Sequence, residues 1–326
     1  MSDARLYARV VGTGSALPER VLTNTDLEGM VATSDEWIRT RTGIERRHIV
    51  GEGETTADLA ERAARCALEA SGTRAEDLDL IIVGTTTPDY IFPNLGTLVQ
   101  ERLGAYGCAA VSCEAACAGF IYAFGIGEKF IRTGDAERVL VIGAETLSRF
   151  TDWSDRSTCI LFGDGAGAVV LAPASEPGII RTELYADGRY RELLHFPSGV
   201  SKGFDRLKSG KDFVQMRGNE VFRFAVREFI AAAKNIFEAT GMTAADVDWF
   251  VPHQANLRII EAVAKRLGIP MERVVVTIQE HGNTSAASVP LALDVAVRDG
   301  RIKPGQTLLF EAFGGGFTWG AALLRY

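Results

Sequence analysis

The chain repeats itself, and the repeat limits its fold more than any other feature. "ASGTRAEDLDLIIVG" at 70–84 aligns without a gap with "ATGMTAADVDWFVPH" at 239–253. In each copy a helix ends at glycine, a turn follows, and an Asp-x-Asp step enters an apolar strand. Amphipathic stretches precede both copies, "TADLAERAARCALEA" in the first and "FRFAVREFIAAAKNIFEA" in the second. A helix ending in Arg-Leu-Gly follows each (102–104 and 266–268), then a strand, "AAVSCEA" or "RVVVTIQE". A long helix closes with Thr-Gly-Asp (133–135) or Arg-Asp-Gly (298–300), and each half ends in apolar strands with a Gly-rich hairpin. Strands alternating with helices predict parallel sheets covered by helices. Two such halves predict a duplicated five-layer α/β/α/β/α fold, with residues 1–173 as one half and 174–326 as the other. The Pro- and Ser-containing "APASEPG" (172–178) joins them, and the two share a middle helix layer.

A chain of 326 residues, 47% hydrophobic, can bury such a core. Its net charge of −7, with no long basic run, argues against nucleic acid as a partner. The beginning "MSDARLYARVVG" lacks the apolar segment of a signal peptide, and no run of about 18 apolar residues is present, so a cytoplasmic protein with no membrane partner is expected. Five cysteines (66, 108, 113, 117, 159) fit neither a disulfide framework nor a zinc spacing, and no metal is expected.

The repeat also locates chemistry. Counting back from Gly134 and Gly300 sets Cys117 opposite Asn283, and the first alignment sets His253 opposite Gly84. Ligands in open α/β sheets gather at the carboxyl ends of strands. Cys117, in "AACAGF" before a long apolar stretch, is expected at a helix N-terminus, where free N–H groups lower a thiol pKa and favour nucleophilic attack; a packed small residue is the plainer alternative. His253, in "VPHQAN", and Asn283, in "HGNTSAAS", are candidates to donate hydrogen bonds to one carbonyl oxygen and stabilise an enolate, although a lone buried histidine is commonly structural. "FGGGFTW" (313–319) is either a tight hairpin or a source of oxyanion-binding N–H groups around Gly315. His281 reads as structural or supporting, and His48 and His195 have no supporting context. "VGTGSALP" (11–18) lacks the third glycine of a dinucleotide loop, and "GDGAG" (163–167) precedes a strand, so neither is a phosphate loop.

Together "TSDEWIRTRTGIERRHI", "AACAGF", "FGDGAGAVVL", "VPHQANLRI", "HGNTSAASVP" and "EAFGGGFTWGAAL" resemble the β-ketoacyl-[acyl-carrier-protein] synthase III family over nearly the whole chain. The resemblance implies a thiolase-like fold, a homodimer, and condensation of an acyl-CoA with malonyl-acyl carrier protein to begin fatty acid synthesis, with no cofactor beyond these substrates. It makes Cys117 the acylated nucleophile, with Cys117 and Gly315 supplying the oxyanion hole, and His253 and Asn283 the pair assisting decarboxylation. Coenzyme A contacts fall on Trp37, Arg41, Arg156, Asn219 and Asn256. Carrier-protein contacts fall on Gln254, Arg258, Arg223, Lys265 and Arg266; the plain reading of these cations is a solvated helix face. Phe92 and Phe313 are assigned to the acyl pocket, Phe92 by crossing the dimer. Ser112, Cys113 and Glu114 stand where the family often has Asp, an aliphatic and a small residue, which bears on acyl preference. No cysteine follows 159, which argues against a thiolase with a second reactive cysteine. A same-fold condensing enzyme or acyltransferase of secondary metabolism, using another acceptor, is the alternative; a non-catalytic scaffold would tolerate loss of Cys117.

Overall fold

The computed structural model describes residues 7–326. In the first half the main elements are β1 (Tyr7–Ala16), α1 (Asp35–Thr42), α2 (Thr56–Ser71), β2 (Leu80–Gly84), α3 (Leu95–Leu103), β3 (Ala109–Cys113), α4 (Gly119–Thr133), β4 (Val139–Thr146) and β5 (Asp164–Ala174). The second contributes β6 (Ile179–Ala186), α5 (Gly218–Thr240), β7 (Trp249–Pro252), α6 (Leu257–Leu267), α7 (Ser288–Arg298), β8 (Thr307–Gly314) and β9 (Thr318–Arg325). The first sheet runs β1-β5-β4-β2-β3 and the second β7-β8-β9-β6.

Alternation along the strands builds the layers. In β4, Val139 and Val141 enter a central core with Phe120 and Phe124 of α4, Leu293 of α7 and Phe310 of β8. Leu140 and Ile142 point the other way, onto Leu59 and Ala63 of α2 and Val99 of α3. In β8, Leu309 and Phe313 pack under Phe229 of α5 and Val263 of α6. The order is therefore α2/α3, first sheet, α4/α7, second sheet, α5/α6. Helix α7 is bound across the halves: its Asp294 accepts hydrogen bonds from Thr13 Oγ (2.7 Å) and Ser15 Oγ (2.6 Å) of β1.

Three expectations are corrected. The sheets are mixed: β2 pairs in parallel with β3 and β4, and β7 with β8, while β5 runs antiparallel to β1 and β4, and β9 to β6 and to β8, with which it forms a hairpin. "RVVVTIQE" does not form a strand. It makes one bridge, Val274 to Phe250, and Val275 N–H bonds Phe250 O at 2.8 Å. Beyond that point the Gln254 side chain takes the place of strand backbone, donating to Val275 O (3.0 Å) and accepting from Thr277 N–H (2.9 Å). Finally, Asn283 is not the structural counterpart of Cys117. Both central helices are entered through a one-turn 3₁₀ segment, Ala116–Ala118 and Ser285–Ala287, whose first residue has positive φ (Ala116 45°, Ser285 50°). Cys117 thus corresponds to Ala286. Helix α7 spans 11 residues against 15 in α4, so counting back from the closing glycine overshoots by about a turn.

Gly84, Gly143 and Gly167 lie side by side in register across β2, β4 and β5. A Cβ at Gly84 would meet Gly119 C at 2.4 Å, one at Gly143 would meet Ala286 O at 2.2 Å, and one at Gly167 would meet Leu291 N at 2.6 Å. This bare row lets both 3₁₀ turns lie against the sheet. Gly143→Ala is expected to lower unfolding free energy by about 1–3 kcal/mol or more, since the methyl overpacks against backbone. Gly188→Ala, with open space around it, is expected to change stability far less. Urea unfolding of both variants checks this, and equal midpoints would remove the close-approach argument.

Candidate active site

Cys117, His253 and Asn283 all line one cavity of about 1380 Å³, which also reaches Trp37, Arg41 and Arg258. Cys117 is 9% exposed and sits in the turn that starts α4. Neither α4 nor α7 has a side-chain N-cap, whereas Ser34, Thr55, Asn94 and Asn256 cap α1, α2, α3 and α6. The first-turn N–H groups of both central helices are thus not taken by a capping side chain. The end of β8 crosses directly over this turn: a Cβ at Gly314 would stand 2.5 Å from Cys117 N. Thr318 Oγ donates to Ala115 O at 2.7 Å and fastens the hairpin there, with Gly315 on the cavity wall.

The expected depression of the Cys117 pKa is not what burial produces. Desolvation pushes the thiol up to about 12, with the Glu145 carboxyl adding to the rise, while a hydrogen bond with the Ser285 side chain opposes it. His253 leaves β7 with its N–H on Glu311 O (2.7 Å), and its Nδ1 lies 2.5 Å from Ser288 Oγ in the first turn of α7. Ser288 Oγ also accepts from Gln254 N–H (3.4 Å), so its own hydrogen is available for Nδ1. That arrangement leaves Nε2 carrying the ring proton. Burial lowers the His253 pKa to about 3, so the ring is neutral and serves as a donor. Asn283 is clamped by backbone bonds to Leu161 O (2.8 Å) and from Gly163 N–H (3.0 Å). Its Oδ1 accepts from Ser285 N–H at 2.9 Å, which leaves Nδ2 as the remaining donor. Three donor elements and a thiol in one cavity suit acyl transfer through an oxyanion and an enolate.

At the far end Trp37 stacks with two guanidinium groups, Arg41 (Cζ 4.7 Å from the ring centroid) and Arg156 (4.6 Å). Asn256 donates to Arg41 O at 3.0 Å while capping α6, and so ties this cluster to His253. Asn219, at the start of α5, lines the same cavity. Arg258 is exposed at its rim, 5.9 Å from the Phe222 ring of α5; Arg223, Lys265 and Arg266 are exposed and form no ion pair among the described residues. Gln254 is not a docking residue: it is 1% exposed and bonds Pro252 O as well as the Val275 and Thr277 backbone. Phe313 is buried on the cavity wall, whereas Phe92 is 84% exposed beside exposed Tyr90 and Ile91.

Ser112 Oγ accepts from Leu95 N–H (3.0 Å) at the start of α3, Cys113 is half-buried, and Glu114 reaches the cavity. Asp164 of "GDGAG" is a structural acceptor, bonded by Val50 N–H (2.8 Å) and Ser148 (2.6 Å). His281 is buried with its pKa lowered to about 4 by desolvation and by His48. Sequence reasoning missed His195, which lines the cavity, and also Ser288, Ser285 and Glu145. The signal for the last was an acidic residue closing the apolar run "VLVIGAE". No three His, Cys, Asp or Glu side chains converge as a metal site among the described residues, and no described helix is long and apolar enough to cross a membrane.

A duplicated five-layer fold, with a cysteine on one central helix and a histidine and asparagine from the other half, defines a thiolase-like condensing acyltransferase. Family models for 3-oxoacyl-[acyl-carrier-protein] synthase III match residues 112–188 and, for its C-terminal part, 237–326. The chain is 58% identical over 320 residues to the β-ketoacyl-[acyl-carrier-protein] synthase III of Thioalkalivibrio sulfidiphilus (strain HL-EbGR7), covering 98% of this chain and 99% of that one. It also superimposes on the 3-oxoacyl-[acyl-carrier-protein] synthase III of Aquifex aeolicus VF5 (TM-score 0.92, 48% identity, 98% and 100% coverage) and on the priming β-ketosynthase of the R1128 polyketide pathway (0.94, 38%, 100% and 98%). The chain belongs to the β-ketoacyl-[acyl-carrier-protein] synthase III family.

The burial of Cys117 has a measurable consequence. Alkylation by iodoacetamide proceeds through the thiolate, so its rate is expected to rise about tenfold per pH unit from pH 6 to about 10, without a plateau. A plateau below pH 9 would mean that the helix N-terminus outweighs desolvation.

Proposed function

We propose that this chain condenses an acyl-CoA primer with malonyl-acyl carrier protein, as a cytoplasmic homodimer that begins fatty acid synthesis. The observation that carries the reading is the single cavity joining Cys117, His253 and Asn283 to the Trp37–Arg41 cluster. In the first half-reaction Cys117 sulfur adds to the acyl-CoA carbonyl. Backbone N–H groups of Cys117 and Gly315 bind the oxyanion. The carbon–sulfur bond to coenzyme A breaks, and the proton given up by Cys117 ends on the departing thiol. Trp37 with Arg41 and Arg156 holds the adenine and phosphates by stacking and charge, and Asn219 and Asn256 contribute polar contacts along the pantetheine arm.

Malonyl-carrier protein then enters. Nε2 of His253 and Nδ2 of Asn283 donate to its thioester oxygen, so loss of carbon dioxide leaves an enolate whose charge is matched. Its carbon attacks the acyl-Cys117 carbonyl, the β-ketoacyl thioester leaves on the carrier, and the Cys117 thiolate takes up a proton. The reaction balances with these substrates and no cofactor. Phe313 lines the acyl pocket, and the exposed Phe92 completes it in the partner subunit. Arg258, Arg223, Lys265 and Arg266 form a basic landing surface for an acidic carrier protein beside the cavity mouth. The second reading is a priming ketosynthase of secondary metabolism, favoured by the R1128 likeness at 38% identity; it keeps both half-reactions and changes the pathway served. Intact-mass measurement after exposure to a panel of acyl-CoAs tests the primer, and absence of an adduct at Cys117 would end either reading.

His253→Ala and Asn283→Ala are each expected to slow malonyl decarboxylation by roughly 10²–10³-fold and to affect Cys117 loading much less. Equal loss of both would make these residues supports for the thiol instead. Arg258→Glu is expected to raise KM for malonyl-carrier protein and flatten its salt dependence, with acyl-CoA loading nearly unchanged. Steady-state kinetics at two ionic strengths check this; equal damage to loading would assign Arg258 to the coenzyme A channel.

A further inference from the structure

Beneath the cavity lies a carboxylate that this chemistry does not use. Glu145, near the end of β4, is completely buried and forms no ion pair among the described residues. Its oxygens accept from Thr86 N–H (3.1 and 3.2 Å), Thr86 Oγ (3.1 and 3.2 Å), Thr87 Oγ (2.6 Å) and, weakly, Thr85 Oγ (3.4 Å), all from the segment that follows β2. The remaining donor comes from the other half: Ser285 Oγ, 3.1 Å from Oε1. Burial pushes the Glu145 pKa up to about 7 against these donors, which favour the anion.

Ser285 is the residue with φ of 50°, a conformation that side chains other than glycine seldom adopt. Such backbone persists only where its surroundings over-determine it. When ionised, Glu145 can only accept, so the Ser285 hydroxyl, which also bonds the Cys117 thiol, donates to it. In that pose the Ser285 N–H meets Asn283 Oδ1 at 2.9 Å. The Asn283 backbone is already fixed at both Leu161 and Gly163. What remains free is its side-chain amide, and Ser285 is the contact that sets which end faces the cavity.

We propose that Glu145 is a positioning residue for decarboxylation: through Ser285 it holds the Asn283 amide with Nδ2 directed at the malonyl thioester. The proposal rests on the decarboxylation reading given above. Glutamine at 145 would bring an amide N–H₂ against the Thr86 and Thr87 donors, so the turn at Ser285 would lose its anchor while the packing volume stays the same. Supporting groups of this kind are worth about 10–100-fold at metal sites, and a similar loss is expected here.

The test is a double-mutant cycle on decarboxylation of malonyl-carrier protein. Glu145→Gln is expected to lower kcat about 10–100-fold, with KM within about threefold and Cys117 loading by acetyl-CoA within about threefold. Added to Asn283→Ala, it is expected to cause no further loss, because the group it positions is gone. Additive losses in the double variant, or equal loss of loading and decarboxylation, would overturn the proposal. Should Glu145→Gln not fold, Ser285→Ala runs through the same cycle with the same expectation for decarboxylation alone, since the Ser285 side chain also bonds the Cys117 thiol. If Asn283→Ala impairs decarboxylation while Glu145→Gln and Ser285→Ala leave it intact, the positioning role alone is wrong. If Asn283→Ala itself has no effect, the decarboxylation reading fails and this proposal with it.

Discussion

Two helix N-termini meet inside this protein, and the glycine row under them makes the meeting possible. Side chains at Gly84, Gly143 or Gly167 would stand within 2.6 Å of the backbone they face. With hydrogens there instead, both 3₁₀ turns lie on the first sheet, and Cys117 and Ser285 line one cavity. Everything in the site is referenced to that contact: Cys117 and Ser285 stand in the two turns, Asn283 just before the second, and His253 reaches Ser288 one residue beyond that same turn.

Burial dominates the electrostatics of this space. Thiol, imidazole and carboxyl are all pushed toward their neutral forms, Cys117 to about 12, His253 to about 3 and Glu145 to about 7. Neutral donors are useful in a site where negative charge appears only as bonds change, since they need no reorganisation when it does. The charged groups of the channel, Arg41, Arg156 and Arg258, are exposed and lie toward its outer end.

Much of this was legible in the sequence because duplication leaves a strong record. Matching glycines, Asp-x-Asp turns and apolar strands gave the layers, and the Cys, His and Asn motifs gave residues that do share a cavity. What failed had physical causes. The ungapped count from Gly300 ignored a helix shorter by a turn, so it paired Cys117 with Asn283. Strand propensity in "RVVVTIQE" lost to the Gln254 side chain, which ends the ladder after one bridge, and the same role buries Gln254 away from any partner. Glu145 and Ser285 carry no motif of their own; their partners lie 140 residues apart in the chain, and only folding makes them neighbours.

Ala286 stands where Cys117 stands in the other half. A doubled chain begins with two equivalent crevices, and symmetry alone would give each its own nucleophile. Here one crevice has kept the sulfur while the other contributes a methyl group, an amide and a hydroxyl. The protein has thereby become heterodimeric within a single polypeptide, and either half may drift only as far as the other's reagents allow. Separated at the joint formed by residues 175–178, neither half would carry a complete set, so that joint is as much a part of the catalyst as the cysteine.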